Sequence, residues 1–283
     1  MNNYLTKGTV DGVRIYVLET TGLVQEANER HHCSHLGIAA LGRAMNGALL
    51  LAATMKNDER VTLRFAGNGP LGTVVADATA GQVRGYVEHP DVFLPLKKGK
   101  LDVGGGIGQG NLMVTRVLNN AEPFSGFSEL VDGEIASDLT NYLYTSEQTP
   151  SSVALGVLVN KNGQVLAAGG WFIQAMPDCS EEVLATLENN VLTMPYITEL
   201  LQAGLTPEAI IRRIAQGLEV SIKETLPVEF KCTCTRANIA EMLSGLTAQD
   251  LEDLAEDEAT EVHCPFCNTF YTFSQAEIIA LKK

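Results

Sequence analysis

The first part of the chain alternates between segments with the periodicity of strands and segments with that of helices. In VRIYV (13–17) and VTLRF (61–65) every second residue is apolar, so each predicts a strand with one apolar face. Two apolar runs within residues 152–174 flank the turn-forming residues Asn160–Gly163, which predicts a β-hairpin. Such interspersed elements predict an α+β domain, a mixed sheet with helices, over residues 1–177.

Helices are indicated from Leu36 to Met55 and at about residues 133–147. The first of these segments is the most apolar stretch of the chain, but Arg43 and Asn46 interrupt it. A membrane span needs about 20 predominantly apolar residues with few or no charges. The segment therefore predicts a helix buried in the protein.

Residues 178–231 change to a helical pattern rich in Leu, Ile and Val. Ser180, followed by two glutamates, has the composition of a helix start, and Thr206-Pro207 marks another because Pro is favoured at the first helical position. A segment this apolar is unlike a solvated linker, so we expect it to pack on other parts of the protein. The sequence predicts a helical linker here, followed by a small C-terminal domain over residues 232–283.

The charge of the chain limits its partners. Lys and Arg number 20 and Asp and Glu 34, which gives a net charge of −14. This balance disfavours nucleic acid and acidic membrane surfaces, since both attract basic residues. The first 17 residues lack a basic segment followed by an apolar one, so no signal peptide is predicted. We therefore expect a cytoplasmic protein in a reducing compartment.

Four of the six cysteines form two close pairs in the last fifth of the chain: Cys232, Cys234, Cys264 and Cys267. Two short chelating loops of this kind supply the ligands of tetrahedral zinc. The segment 232–283 is too small to be held by hydrophobic burial alone and needs such a staple. We predict one Zn²⁺ per chain, bound by these four cysteines.

Local patterns around the cysteines agree on a compact zinc domain. Thr247 with an acid three residues later predicts a capped helix, and TFYTF (269–273) alternates like a strand. Ser274 and Glu277 form a capping box for a final helix. The sequence thus places a helix between the two cysteine pairs.

Other interpretations of the cluster remain. His263 can replace one thiolate, although its position directly before Cys264 points its ring away. The pairs can be structural disulfides, which a reducing compartment disfavours. Cys264-Pro-Phe-Cys267 can also be the site of a thioredoxin-like thiol-disulfide oxidoreductase. That chemistry needs its first cysteine at a helix N-terminus, whereas a strand-like stretch follows here.

A zinc-thiolate site has a chemical liability. Zinc keeps its sulfurs as thiolates, the form that peroxide and hypochlorous acid attack. Structural zinc contributes about 10–16 kcal/mol to the folding of such small units, so loss of the ligands should unfold the domain. Eight acids between Glu241 and Glu261, with no Lys or Arg among them, would repel bare thiolates, unless they form only a solvated helix face.

The cysteine segments EFKCTCTR (229–236) and HCPFCNTFYTF (263–273) resemble the redox switch of the heat shock protein 33 family, the 33-kilodalton bacterial chaperones. The resemblance covers nearly the whole chain. Four further stretches resemble the N-terminal domain of that family in the same order: GRAMNGALLLAATMK, GPLGTVVADATAGQVRGYV, SEQTPSSVALGVLV and AGGWFIQAMP.

The resemblance implies an ATP-independent holdase chaperone that is not an enzyme. Residues 1–177 would bind substrate, 178–231 would be a metastable linker and 232–283 a zinc-binding redox switch. It implies that the reduced, zinc-bound form is inactive and that oxidation forms the disulfides Cys232–Cys234 and Cys264–Cys267. The switch and linker then unfold, and the active homodimer binds unfolding client proteins through exposed apolar surface.

Several residues lie outside this pattern. HHCSH, with His31, His32, Cys33 and His35, can be a second metal site, but a polar turn before the Leu36 helix explains it better. No role is implied for Cys33 or for Cys179, a bystander thiol that can mispair on oxidation.

Nucleotide and hydrolase motifs are absent from the sequence. GGGIGQG (104–110) lacks the G-x-G-x-x-G spacing and precedes a strand-like NLMVT, so it predicts a turn or loop. Two rival functions stay open: a thiol-disulfide oxidoreductase that uses Cys264 and Cys267, and a zinc-ribbon adaptor that binds a protein partner.

Overall fold

A computed structural model of the chain describes residues 3–56, 59–119 and 121–281. The structure divides into two compact units, Met1–Phe230 and Lys231–Lys283. The first unit contains the residues of the predicted α+β domain together with nearly all of the predicted linker, and the second contains the four paired cysteines.

Both units mix strands and helices, so the predicted α+β class is confirmed. The strands are β1 (Tyr4–Val10), β2 (Val13–Glu19), β3 (Arg60–Gly67), β4 (Thr73–Thr79), β5 (Gln82–Val87), β6 (Gly110–Val117), β7 (Phe124–Glu129), β8 (Ser151–Val159), β9 (Val165–Ala175), β10 (Ser221–Pro227), β11 (Glu229–Phe230), β12 (Ala259–His263) and β13 (Phe270–Ser274). The helices are α1 (Thr21–His31), α2 (His35–Ala52), α3 (Val103–Ile107), α4 (Ala136–Thr145), α5 (Glu181–Leu192), α6 (Ile197–Gln202), α7 (Pro207–Ile214), α8 (Arg236–Leu243), α9 (Ala248–Leu254) and α10 (Gln275–Ala280).

Over its described residues, the first unit contains two sheets. Sheet A has the strand order β10-β1-β2-β9-β8, and sheet B the order β11-β5-β4-β3-β6-β7. The strands predicted at 13–17 and 61–65 are confirmed as parts of β2 and β3. The predicted hairpin is confirmed as β8 and β9, with Gly163 in its turn at a φ of 82° that suits glycine.

Helix α2 is the core helix of the first unit. Every residue from Leu36 to Ala52 except Arg43 is buried, because the helix contacts strands of both sheets. Among the described residues one helix, α2, is long and apolar enough to cross a membrane. Yet 89% of its apolar stretch is buried inside the protein, as in a core helix. The prediction of a buried helix in this segment is confirmed.

Helices α5, α6 and α7 pack on one face of sheet A. Ser180 and Thr206 accept hydrogen bonds from the first turns of α5 and α7, so both predicted helix starts are confirmed. Buried apolar residues from the helices and strands form one cluster: Val183, Leu187, Ile197, Leu200, Ile210, Ile211 and Ile214 with Val13, Ile15, Val17, Trp171 and Ile173. The apolar segment predicted to pack on other parts of the protein therefore covers an apolar sheet face.

The end of this segment differs from the helical pattern expected over residues 178–231. Residues 221–227 form β10, which pairs antiparallel with β1 at the edge of sheet A. Glu229 and Phe230 form β11, which pairs parallel with β5 of sheet B. The helical segment ends soon after Ile214, where Gly217 adopts a φ of 88°. Pairing with strands far away in the sequence decides the conformation here, and the local pattern does not reveal it.

The glycine-rich segment 104–110 also differs from the loop expected there. Residues Val103–Ile107 form the short helix α3, whose N-terminus is capped by the Asp102 side chain, which accepts from Gly105 N. A Cβ on Gly104 would lie 2.3 Å from the carbonyl oxygen of Asp132, so close packing requires glycine there. The strand expected after this segment is confirmed as β6.

Glu208 in the first turn of α7 adds a polar contact between the helix and sheet A. Its Oε1 accepts hydrogen bonds from Thr6 Oγ1 of β1 at 3.0 Å and from Thr225 Oγ1 of β10 at 3.2 Å. Burial raises the pKa of Glu208, but hydrogen bonds from its own backbone and from three threonines outweigh burial and lower it overall. The ionised carboxylate therefore stabilises the packing of α7.

We expect Glu208→Gln to lower the free energy of unfolding by about 1 kcal/mol at neutral pH, because hydrogen bonds to a charged acceptor are weakened. A carboxyl with a depressed folded-state pKa contributes stability above its unfolded pKa and loses it as the pH falls through the folded pKa. The difference from wild type should therefore shrink in acid. Urea unfolding at several pH values measures this, with the exposed Glu219→Gln as the control; an equal loss in the control would contradict the assignment.

Candidate metal centre

The second unit is built around a small apolar cluster enclosed by α8, α9, α10 and the β12–β13 hairpin. Its buried members are Ile239, Leu243, Leu251, Ala255, Phe273 and Ile278. The predicted capping boxes are confirmed: Thr247 with Asp250 at α9, and Ser274 with Glu277 at α10. The strand predicted in residues 269–273 is confirmed as β13, whereas α8 and β12 were not predicted. A core this small calls for a further cross-link.

The two cysteine pairs lie in two loops of this unit. Cys232 and Cys234 lie in the irregular segment before α8, which Thr235 caps by accepting from Asn238 N. Cys264 and Cys267 lie in the turn between β12 and β13. That turn is closed by hydrogen bonds from Asn268 N to Cys264 O and from Cys264 N to Thr269 O, both 2.9 Å. Asn268 takes a left-handed φ of 57°, which asparagine tolerates better than most residues.

The loops bring the four sulfurs together. All four Sγ atoms lie within 4.8 Å of one another. Cys232 Sγ is 3.8 Å from Cys264 Sγ, and Cys234 Sγ is 3.2 Å from Cys267 Sγ. Zn–S bonds of about 2.3 Å in a tetrahedron place sulfurs about 3.8 Å apart. A disulfide needs about 2.05 Å, and all six cysteines are free thiols. The arrangement therefore fits a metal bound by four sulfurs.

The environment gives the thiols different acidities. Burial raises the pKa of Cys234 to about 12 and also raises that of Cys264. For Cys267, burial acts in the same direction, but hydrogen bonds with Thr269 and Cys234 outweigh it and lower the pKa to about 7. The hydrogen bonds at Cys267 therefore favour its thiolate, the form that binds metal.

His263 does not join the sulfurs. Its Nε2 lies 2.6 Å from Asn268 Oδ1, and its ring stacks near Phe270 with centroids 5.0 Å apart. The residues that follow Cys264 form a turn and then β13, not a helix. The thiolate-stabilising helix N-terminus on which a thioredoxin-like site depends is therefore missing at this described position.

The comparisons with known proteins agree with one another. The family model described as Hsp33 protein matches residues 3–274. The chain is 42% identical to the 33 kDa chaperonin of Desulforamulus reducens over 100% of this chain and 98% of that protein. It is 43% identical to the 33 kDa chaperonin of Ruminiclostridium cellulolyticum, covering 98% of this chain and 97% of that protein.

The crystal structure of the 33 kDa chaperonin (heat shock protein 33 homolog) from Thermotoga maritima is similar throughout. It aligns with a TM-score of 0.92 at 39% identity, over 99% of this chain and 98% of that one. The chain belongs to the Hsp33 family. The resemblance noted in the cysteine segments is thereby confirmed, and Hsp33 membership makes the chain a chaperone, a class of protein that binds client proteins.

The histidine-rich segment of this Hsp33 family member is a turn, as predicted. α1 ends at His31, His32 adopts a φ of 50°, and α2 begins at His35. His31 and His35 therefore belong to different helices, and His35 Nε2 lies 2.9 Å from Asn160 O. Among the described residues, the four-cysteine cluster is the one group of His, Cys, Asp and Glu side chains close enough to hold a metal ion.

The two remaining cysteines lie in the first unit. Burial raises the pKa of the Cys33 thiol to about 12. Burial also raises the pKa of Cys179, with the charges of Asp178 and Asp11 adding to the effect. Both thiols are thus less readily deprotonated than a free thiol.

The acids of the second unit are solvated. All eight, from Glu241 to Glu261, are exposed. Exposed charges are screened by water and salt, so their repulsion of the sulfurs is weak. The acid run fits the solvated-face interpretation.

Two hydroxyls beside the sulfurs were missed by sequence reasoning. Tyr271 Oη lies 3.2 Å from Cys234 Sγ, and Thr269 Oγ1 lies 3.2 Å from Cys267 Sγ. The alternation of β13 does carry a signal for the tyrosine, since it places Tyr271 on the same face as the buried Phe273. The alternation does not predict which residue of the first cysteine loop the phenol contacts.

We expect Cys264→Ser to lose most of its bound metal and His263→Ala to retain it, because the sulfur is a candidate ligand and the imidazole bonds Asn268 instead. The metal content of the purified, reduced proteins measures this directly. Equal metal loss in both variants would contradict the four-sulfur assignment.

Removal of the metal with a chelator should abolish the protection of amides in residues 236–281, because the small core alone does not hold the unit. Hydrogen exchange followed by mass spectrometry measures this, and the amides of α2 provide the internal control. Unchanged protection in the second unit would show that the metal is dispensable for its fold.

Proposed function

We propose that the chain is a redox-regulated, ATP-independent holdase chaperone of the cytoplasm, with Cys232, Cys234, Cys264 and Cys267 as ligands of one Zn²⁺. The observation that carries the proposal is the convergence of four sulfurs in a unit with a minimal core. When bound, zinc keeps the sulfurs deprotonated and ties the two cysteine loops together. The reduced, zinc-bound form is the inactive one.

Oxidation of the sulfurs removes the ligands. A thiolate attacks peroxide: an S–O bond forms, the O–O bond breaks and hydroxide leaves. A second thiolate attacks the resulting sulfenic sulfur, forms the S–S bond and expels a second hydroxide. Two protons from solvent convert both hydroxides to water. The two sulfurs lose two electrons, and peroxide gains them.

We propose that the disulfides are Cys232–Cys234 and Cys264–Cys267. In the reduced structure two short sulfur distances, 3.8 and 3.2 Å, run across the pairs. Once the unit unfolds, however, those cross-pair contacts are lost, and loop closure favours near neighbours in sequence. Disulfide mapping of the oxidised protein distinguishes the two patterns.

Unfolding then extends to the connector, the linker of residues 178–231. Helices α5–α7 cover an apolar face of sheet A, so their release uncovers both that face and their own apolar sides. Exposed apolar surface of this kind binds unfolded segments of other proteins. Unfolding or partly folded proteins are the proposed clients, and the active form is proposed to be a homodimer that binds neither nucleic acid nor membranes.

A thiol-disulfide oxidoreductase and a zinc-ribbon adaptor are the alternatives. The first has no helix N-terminus at Cys264 to activate it. For the second, the exposed acids of the second unit disfavour a nucleic-acid partner and leave a basic protein surface as the partner. Chaperone family membership favours the holdase over both.

The test is aggregation of a heat-labile client protein, followed by light scattering. The reduced, zinc-loaded protein should suppress aggregation little, and protein treated with peroxide should suppress it stoichiometrically without ATP. Zinc release, followed with a chromogenic chelator, should precede suppression, because unfolding follows loss of the ligands.

Cys33→Ser/Cys179→Ser is the matched control and should keep the full response to peroxide. Maximal suppression by the reduced protein would contradict the redox switch. Catalytic turnover of a disulfide substrate would instead support the oxidoreductase.

A further inference from the structure

The phenol of Tyr271 connects the two cysteine loops. Its Oη lies 3.2 Å from Cys234 Sγ and 3.3 Å from the carbonyl oxygen of the same residue. Tyr271 follows the second cysteine pair in the chain, whereas Cys234 belongs to the first pair. The contact therefore bridges the loops at one of the candidate ligand sulfurs.

The position of the phenol is set by packing. Tyr271 lies on β13, opposite Val262 of β12, and shares its strand face with Phe273, which is 1% exposed. Its ring packs against the apolar cluster of the second unit. The hydroxyl is thus held at Cys234 by a ring that packs against the core.

The chemistry of the contact depends on the state of the sulfur. The phenol has one O–H proton, which it donates to the carbonyl oxygen of Cys234 in the structure. A metal-bound cysteine is a thiolate, a stronger acceptor than a carbonyl, and draws that proton to the sulfur. Hydrogen bonds to ligand atoms orient them and tune their reactivity in metal sites generally. A thiolate that accepts a hydrogen bond also has less charge available for attack on an oxidant.

We propose that Tyr271 is a positioning residue that holds Cys234 as a metal ligand and slows its oxidation. The proposal rests on the function proposed above and deepens it: the phenol sets how readily the switch responds to peroxide. The step it slows is the first one, in which the Cys234 thiolate forms the S–O bond, the O–O bond of peroxide breaks and hydroxide leaves.

Cys234 belongs to the less buried of the two cysteine pairs. Cys264 and Cys267 are only 5% and 6% exposed, whereas Cys232 and Cys234 are partly exposed. A donor on Cys234 therefore acts on a residue of the less buried pair.

Thr269 provides an instructive comparison. Its Oγ1 lies 3.2 Å from Cys267 Sγ, but the two residues are neighbours in one turn and the sulfur is buried. Loss of this hydroxyl does not separate the loops, because Thr269 and Cys267 belong to the same turn. Its removal should therefore affect the response to peroxide less than removal of the Tyr271 hydroxyl.

The experiment compares full-length Tyr271→Phe with wild type, both reduced and zinc-loaded. Phenylalanine keeps the ring in the core and removes only the hydroxyl. We expect the zinc affinity to fall about tenfold, within the range for outer-shell partners of metal ligands. Zinc release under excess peroxide should be several-fold faster, as measured with a chromogenic chelator. Tyr144→Phe, which removes an exposed phenol in the first unit, should change neither quantity.

A second readout is independent of zinc and of chaperone activity. Mass spectrometry should find Cys234 alkylated by iodoacetamide faster in Tyr271→Phe than in wild type, relative to Cys232 in the same molecule. Thr269→Val should leave that ratio unchanged. An unaltered Cys234 ratio in Tyr271→Phe overturns the proposal, even if the protein is a redox-regulated chaperone. A raised ratio supports it, even if peroxide fails to activate the chaperone and the proposed function falls.

Discussion

The meeting of four sulfur atoms within 4.8 Å is the constraint on which the second unit depends. Its apolar cluster is small, and hydrophobic burial on that scale leaves little net stability once chain entropy is subtracted. A four-coordinate metal contributes about 10 kcal/mol or more to units of this size. A metal bound by these sulfurs would therefore couple the fold of residues 231–283 to the redox state of its cysteines.

The connector would give this coupling an output. Its helices lie on sheet A through a shared apolar cluster, with Glu208 as a polar contact to β1 and β10. Short helices of this length are marginal by themselves and persist because they bury one face. A segment stabilised mainly by burial is also one that exposes much apolar surface when it is released. The same side chains that keep the connector folded are thus suited to contact an unfolded protein.

Local signals in the sequence were sufficient for much of the fold. Helix starts at Ser180, Thr206, Thr247 and Ser274 follow from side chains that bond the nearest backbone N–H groups, and the structure shows each of them. The cysteine spacing was sufficient to predict the candidate metal centre, because the two cysteines of a chelating pair lie close together in the chain. The membership in the Hsp33 family also followed from those segments.

Features that depend on distant partners could not be predicted in this way. Strand β10 has only a weak alternation of apolar and polar residues. It is defined by its pairing with β1, where Pro227 lies opposite Tyr4 near the start of the chain. The contact of Tyr271 with Cys234 likewise needs the relative placement of two loops. The glycine-rich helix α3 depends on close packing against Asp132. In each case the deciding neighbour is remote in sequence.

Strand β10 is also the outermost strand of sheet A beside β1. If it leaves with the rest of the connector, the backbone N–H and C=O groups of β1 that it now pairs become an open edge. Such an edge is a template for any extended chain, whatever its side chains. An extended client chain would then be bound by main-chain hydrogen bonds as well as by apolar contacts. The amino-acid sequence of the client would matter less for binding.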